Sequence, residues 1–529
     1  MTLHQLEPSP APAPSRRGLL LGAAGLSSAA LVGQIGAAQE ALAAPSYRVN
    51  PFRKTKIPTA FERHLMNRMG CGYSRGTWQQ MRRAGGPEKW FTQQLRHSSI
   101  AENAKTQGLI NWFPDLKQSP RTKWARSRSG TKGGWAYARD VSNYSILRRV
   151  YSNRQVHETM VEFWSNHLHV PTVDDLSWPH RYSYDQMIRR HALGRFDQML
   201  TAATLHPAML TYLDNWRSEK DAANENHGRE LLELHTVGRT SGYTEAMVKH
   251  SATLLSGYTV DVKGSWNGHY DRRRHTTGSV RVLGFSATNA SSDGRTVTQK
   301  YLHYLAHHPA TARTIARKLA LRFVSDTPSD ALVNHLAKVF RNSGTDIKAT
   351  LRALVAHKEF RRAAGRKVRT PVEDLVATLR VLQVNAAKPA NIRQFGHVLD
   401  YLHRGLRVYQ WPRPDGPPDR DSAWSSATRM LGSFRMHWNL AGGWYPTGHV
   451  VYRRPTYWLP QRRIRLDAYV DHMCRMLHGK PSTSRQLKAV CQATGLRPRE
   501  FVTRDHALGS WLMVRLVSVL LDTPNHMSR

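Results

Sequence analysis

"NENHGRELLELHTVG", residues 224–238, sets two Asn, three Glu, two His and one Arg among the apolar positions of an amphipathic helix. At about 100° per residue, Asn226, Glu230, Glu233 and Val237 fall on one stripe, and His227, Leu231, Leu234 and Gly238 form the neighbouring apolar face. Two carboxylates at i and i+3 can share a partner. That partner is either a divalent cation, as where helical bundles hold metal between inward Glu and Glu-x-x-His pairs, or an arginine in a bidentate bridge. Arg229 lies four after Glu225, the spacing of an intrahelical ion pair. Gly228 costs the helix up to about 1 kcal/mol against Ala, which predicts a close approach by a neighbouring backbone or side chain.

Working outward, the same helical period runs through most of the chain. "MVEFWSNHLHV" (160–170) places His167 on a face with Met160, Phe163 and Trp164, and Glu162, Asn166 and His169 on another. Pro171 disfavours helix at Val170, so this helix is expected to end near Leu168. Basic, Ser/Gly-rich residues 117–134 lack apolar period and read as an exposed loop, with Lys117, Arg121, Lys123, Arg126, Arg128, Lys132 and Trp124 available to a polyanion. Helical period also fails over 264–295, where alternation around Val280 and Val282 suggests one small hairpin. "YQWPRPDGPPDRDSAWSS" (409–426) is too Pro-rich for regular helix. The expected fold is mainly α: a single large multi-helical domain over 44–529, with long irregular loops and at most a small β-hairpin. Arg515 interrupts the last apolar run, "GSWLMVRLVSVLLDTP", which therefore reads as a buried terminal helix rather than a membrane span.

Composition narrows the setting. With 77 Lys+Arg against 38 Asp+Glu, the net charge is +39, which favours polyanionic partners held by salt-sensitive attraction. Residues 1–43 carry Arg16 and Arg17, a weakly apolar Ala/Gly/Leu stretch and small residues near Ala43, the pattern of a twin-arginine export signal that is cleaved. Cys71, Cys474 and Cys491 are the only three cysteines, too few for a disulfide scaffold or a thiolate zinc cluster. One Cys474–Cys491 bridge is open on sequence, beside the reading of three buried thiols.

No GxSxG elbow, phosphate-binding Gly loop or HExxH pair is present, which removes the common hydrolase, nucleotide and zinc-peptidase readings. His191, His206, His235, His275, His307 and His308 enlarge the supply of ligands, although 27 His will neighbour one another by chance. A histidine on an apolar face, such as His167, is more often a core residue bonded to a backbone carbonyl than a ligand. Trp411, Trp424, Trp438 and Trp444 can stack on sugar rings or bases, or simply plug the open end of a helical core.

Together, "MVEFWSNHLHV", "RRHALGRFDQML", "HPAMLTYLDN", "NENHGRELLELHTVG", "YTEAMVKHSATLLSGYTV", "LAHHPATARTIARKLALRFV" and "PDGPPDRDSAWSS" resemble the bacterial family catalogued as domain of unknown function 1800. The resemblance implies an exported, largely helical protein, often encoded beside a second exported family of unknown function that looks alkaline-phosphatase-like. Its signature positions fall on Trp164, His167, Asp214, Asn215, Asn224, Glu225, Asn226, Arg229, Glu230, Glu233 and His275. Two departures stand out: His227-Gly228 where relatives have Tyr-Ala, and His275-Thr276 where they have His-Asp.

Two functions are therefore expected. In the first, an exported envelope protein is a metal-dependent or acid–base enzyme on an envelope polymer, with Glu230 and Glu233 as bases or ligands, His167 and His275 as ligands of a divalent metal, and Arg229 as an anion clamp. Asn224, Asn226, Trp411 and Trp424 would contact the bound polymer. In the second, the same residues form an ion-paired core, and a basic surface docks an anionic envelope polymer or a co-exported protein.

Overall fold

The stretch that starts as a helix at Glu225 does not finish as one. Asn224 caps it, its side chain accepting the Asn226 N–H at 2.9 Å, and α-helix runs over Glu225–Glu230. A π-turn over Leu231–His235 follows, so that the register changes one turn after it is set. Gly228 meets the expectation of a close approach: a Cβ there would lie 2.7 Å from Ala252 N and 3.0 Å from Val248 O. The bare backbone lets this helix press directly on helix Glu245–Leu255.

The computed structural model describes residues 47–172, 174–387, 408–447 and 450–529. The export-signal reading, on residues 1–43, lies outside them. Residues Tyr47–Arg529 form one compact unit, mainly α. Strands contribute only two-stranded antiparallel pairs, four of them among the described residues, more than the single hairpin expected. Two of these involve 264–295: Tyr258–Val260 pairs with Gly268–Tyr270, and Val280–Val282 with Phe285–Ala287. Such three-residue strands are too short to give a sequence period.

The basic stretch is the larger correction. Pro120–Arg128 is helical, with Ser119 as N-cap and Pro120 in the first turn, a start signal that the missing apolar period had hidden. Lys123 is buried and donates to Pro179 O at 3.1 Å, and burial lowers its pKa to about 8. Lys132 bridges Asp115 and Asp140 at 2.8 and 2.6 Å, and Arg126 also pairs with Asp115. Trp124 packs against Trp178 and Trp266. Much of this charge braces the fold rather than facing a polyanion.

Helix Gln155–His167 ends with Leu168 as its C-cap, three residues before Pro171, as the sequence indicates. It carries Phe163 and Trp164 into a core shared with Phe196, Phe323 and Phe340. Helix Met513–Leu521 is largely buried, and no helix among the described residues is long and apolar enough to cross a membrane. All three cysteines are buried free thiols, so the Cys474–Cys491 bridge is absent.

Candidate active site

Four family-like stretches meet where helix Gln155–His167 ends. The π-turn supplies Leu234 and His235, helix Pro309–Phe323 supplies Lys318 and Arg322, and the Pro-rich loop supplies Asp415 and Asp419. Gly416, at φ +71°, allows the loop to seat: a Cβ there would clash with Asn166 O. His169 Nε2 fastens the same loop through Trp411 O at 2.8 Å.

At the junction, Lys318 Nζ stands 2.9 Å from His167 Nδ1 and 3.4 Å from Leu234 O. His167 Nε2 is 3.1 Å from His235 O. A carbonyl accepts only, so the imidazole carries its proton on Nε2, and its Nδ1 lone pair faces the lysine. Burial, with Lys318 second, holds the His167 pKa well below its ordinary value and keeps the ring neutral. Burial likewise lowers Lys318, to about 8, although Asp419 and Asp415 pull it upward. His227 and His235, both driven to about 3 by burial, are neutral, and no ring nitrogen of either has a hydrogen-bond partner among the described residues.

Glu230 is half-buried, with Oε2 enclosed and without a hydrogen-bond partner among the described residues. Burial first, then Glu233, raises its pKa. Glu233 is spoken for: Arg239 Nε donates to it at 3.0 Å and Tyr243 Oη at 2.6 Å. Arg229, proposed as an anion clamp, is instead held by Glu245 at 2.6 Å and Glu225 at 3.5 Å.

The metal set expected from sequence does not assemble. Both nitrogens of His167 are engaged, as the core-histidine reading has it. His275 lies elsewhere, with Nδ1 3.0 Å from Ser256 O and Nε2 2.9 Å from Asn289 Oδ1, pinning the 264–295 segment to the end of helix Glu245–Leu255. Among the described residues, two groups of three side chains come within ligand reach, Asp197/His303/His307 and Asp374/His437/His526; neither contains His167, His275, Glu230 or Glu233.

The polymer contacts are also revised. Asn224 is spent as a cap, whereas Asn226 is exposed. Trp424 is buried and donates to Pro418 O at 2.8 Å, and Trp411 is half-buried, 6.5 Å from it ring to ring. These indoles pack the loop instead of offering open faces. Asn215, another signature position, bonds Leu255 O and Tyr258 O, and Trp164 Nε1 bonds Ala192 O, all structural roles.

Lys318 is one of 77 Lys and Arg and stands out little in the sequence. Its only signal is an uncompensated cation on the inner side of an apolar helix. A family model described as a protein of unknown function (DUF1800) matches residues 64–528. The chain belongs to this family. No curated protein and no solved structure matches it.

Beside the junction this DUF1800 chain has a feature of opposite character. Arg322 bonds Glu162 at 2.8 Å, Glu373 at 2.9 Å and Asp419 at 3.2 Å, while Arg149 and Arg529 complete Glu162 and Glu373. Burial opposes the Glu373 carboxylate, yet Arg322 and Arg529 outweigh it and hold the pKa far below the usual range. The buried Asp374 group is equally saturated. Asp374 accepts from Ser433 at 2.6 Å and pairs with Arg429 and His437, and His437 reaches Asp522 at 2.6 Å. Burial disfavours the His437 imidazolium, but Asp374 and Asp522 raise its pKa to about 9. With its lone pairs committed, this group is a brace.

Proposed function

We propose that this DUF1800 chain is an exported cell-envelope protein acting as an acid–base enzyme on an envelope polymer, with Lys318, His167 and Glu230 as its reacting groups. The observation carrying this reading is the Lys318–His167 contact at 2.9 Å, in which a cation meets a neutral imidazole instead of a carboxylate. Burial pushes Glu230 up and Lys318 down, each toward its neutral form, the directions that an acid and a base need. Lys318, once neutral, is a base or nucleophile, and the neutral His167 orients its amine by accepting a hydrogen bond at Nδ1; a protonated Glu230 is an acid. Export rests on the Arg16-Arg17 leader, and the polymer class on the +39 charge.

The Arg322 network favours a second reading, a non-catalytic binding or assembly protein with an ion-paired core and a basic docking surface. The test incubates the full chain with teichoic acid, peptidoglycan and lipopolysaccharide and follows product by mass spectrometry. Lys318→Met and Glu230→Gln should abolish turnover while retaining the unfolding midpoint. Salt-sensitive binding without product, equal in the wild type and Lys318→Met, would instead establish the binding reading.

A further inference from the structure

Away from Lys318, helix Arg295–His307 carries two histidines one turn apart on its outer side, His303 exposed and His307 half-buried. Their ring centroids are 4.1 Å apart. Asp197, buried on helix Phe196–Thr204, faces both: its Oδ2 lies 3.6 Å from His303 Nδ1 and 3.9 Å from His307 Nε2. We infer that Asp197, His303 and His307 bind one divalent transition-metal ion of the zinc type, leaving a coordination position open to exchangeable ligands.

Three geometric facts carry this. The ligand atoms already lie within 4.8 Å of one another. Tetrahedral ligands about 2.0–2.1 Å from zinc stand about 3.4 Å apart, so closure needs only small side-chain movements. His307 Nδ1 donates to His303 O at 2.9 Å, which fixes the tautomer and turns the Nε2 lone pair toward Asp197, the outer support that ligating histidines ordinarily have. The group also borders a cleft of about 1060 Å³, lined further by Gln198, Thr201, Phe285, Lys300 and Tyr304. Three protein ligands beside open space is the arrangement of catalytic rather than structural zinc. Imidazole with one carboxylate selects zinc, cobalt or nickel over magnesium or calcium.

Arg195 works against the ion, with Nη2 2.8 Å from Asp197 Oδ2 and Nε 3.2 Å from Oδ1. Arg195 and the Gln198 N–H, which donates to Oδ1 at 2.8 Å, hold the Asp197 carboxylate in its orientation. The Arg195 side chain is 42% exposed, so it can turn into solvent when a cation arrives. Lys300 adds positive charge at the rim, suited to an anionic group at the open position.

The test is a calorimetric titration of the untagged, chelator-treated full chain with Zn²⁺, and a visible-spectrum titration with Co²⁺. The wild type should bind one equivalent that the His303→Ala/His307→Ala double variant loses by about 100-fold or more, the upper end of the cost of losing even an outer partner. His269→Ala, on an exposed hairpin, should retain it. Lys318→Met should retain it too, which separates this site from the proposed acid–base centre. Retention of the equivalent by the double variant, or no stoichiometric binding by the wild type, would overturn the inference.

Discussion

Arg322 and Lys318 stand one turn apart on helix Pro309–Phe323, yet their surroundings differ in kind. Arg322 is enclosed by three carboxylates, two of which have a second arginine, so each buried charge has its opposite. Lys318 makes no ion pair among the described residues; it meets an imidazole and a carbonyl. Breaking a saturated network exposes uncompensated charge, whereas removing a strained cation relieves one. The contrast separates what holds this helical core together from what is free to react.

The largest effect should come from Arg322→Met. It leaves Glu162, Glu373 and Asp419 short of a partner, and denaturant unfolding should show a loss of about 3–5 kcal/mol. The second break uses pH. The His437 pKa is raised from 6.5 to about 9, so its contribution is fully present below pH 6.5 and is lost as pH rises through about 9. Unfolding midpoints should fall across that window, and His437→Gln should flatten this alkaline decline.

Gly228→Ala forces a Cβ to 2.7 Å from Ala252 N, an overpacking expected to cost about 1–3 kcal/mol in thermal unfolding. Arg229→Ala removes a pair whose Glu245 is 70% exposed, and a double-mutant cycle with Glu245→Ala should return under about 1 kcal/mol. Lys318→Met should be the mildest to stability, within about 1 kcal/mol of wild type or more stable, the reverse of its neighbour Arg322.

Much of the fold is legible in sequence because helices repeat an apolar face. Helix Gln155–His167 stops where Pro171 requires, and Gly228 announces the contact with helix Glu245–Leu255. What escapes is local or relational. The Leu231–His235 π-turn has no period of its own, and the Ser119-Pro120 start signal is followed by charge without an apolar face. The Glu230/Glu233 stripe is visible in the sequence, but its partners, Arg239 and Tyr243 for Glu233 and none among the described residues for Glu230 Oε2, depend on the turn that follows. Lys318 is ordinary in composition and distinctive only once the Pro-rich loop and His167 close around it.

The most direct measurement is the titration of the Lys318 amine, read as the pH dependence of its acylation by acetic anhydride with peptide mass spectrometry. The half-point should lie near 8, well below that of exposed lysines. A half-point at the ordinary 10.5 would contradict it, placing Lys318 among the solvated charges of a basic surface and leaving the polar centre as a brace alone.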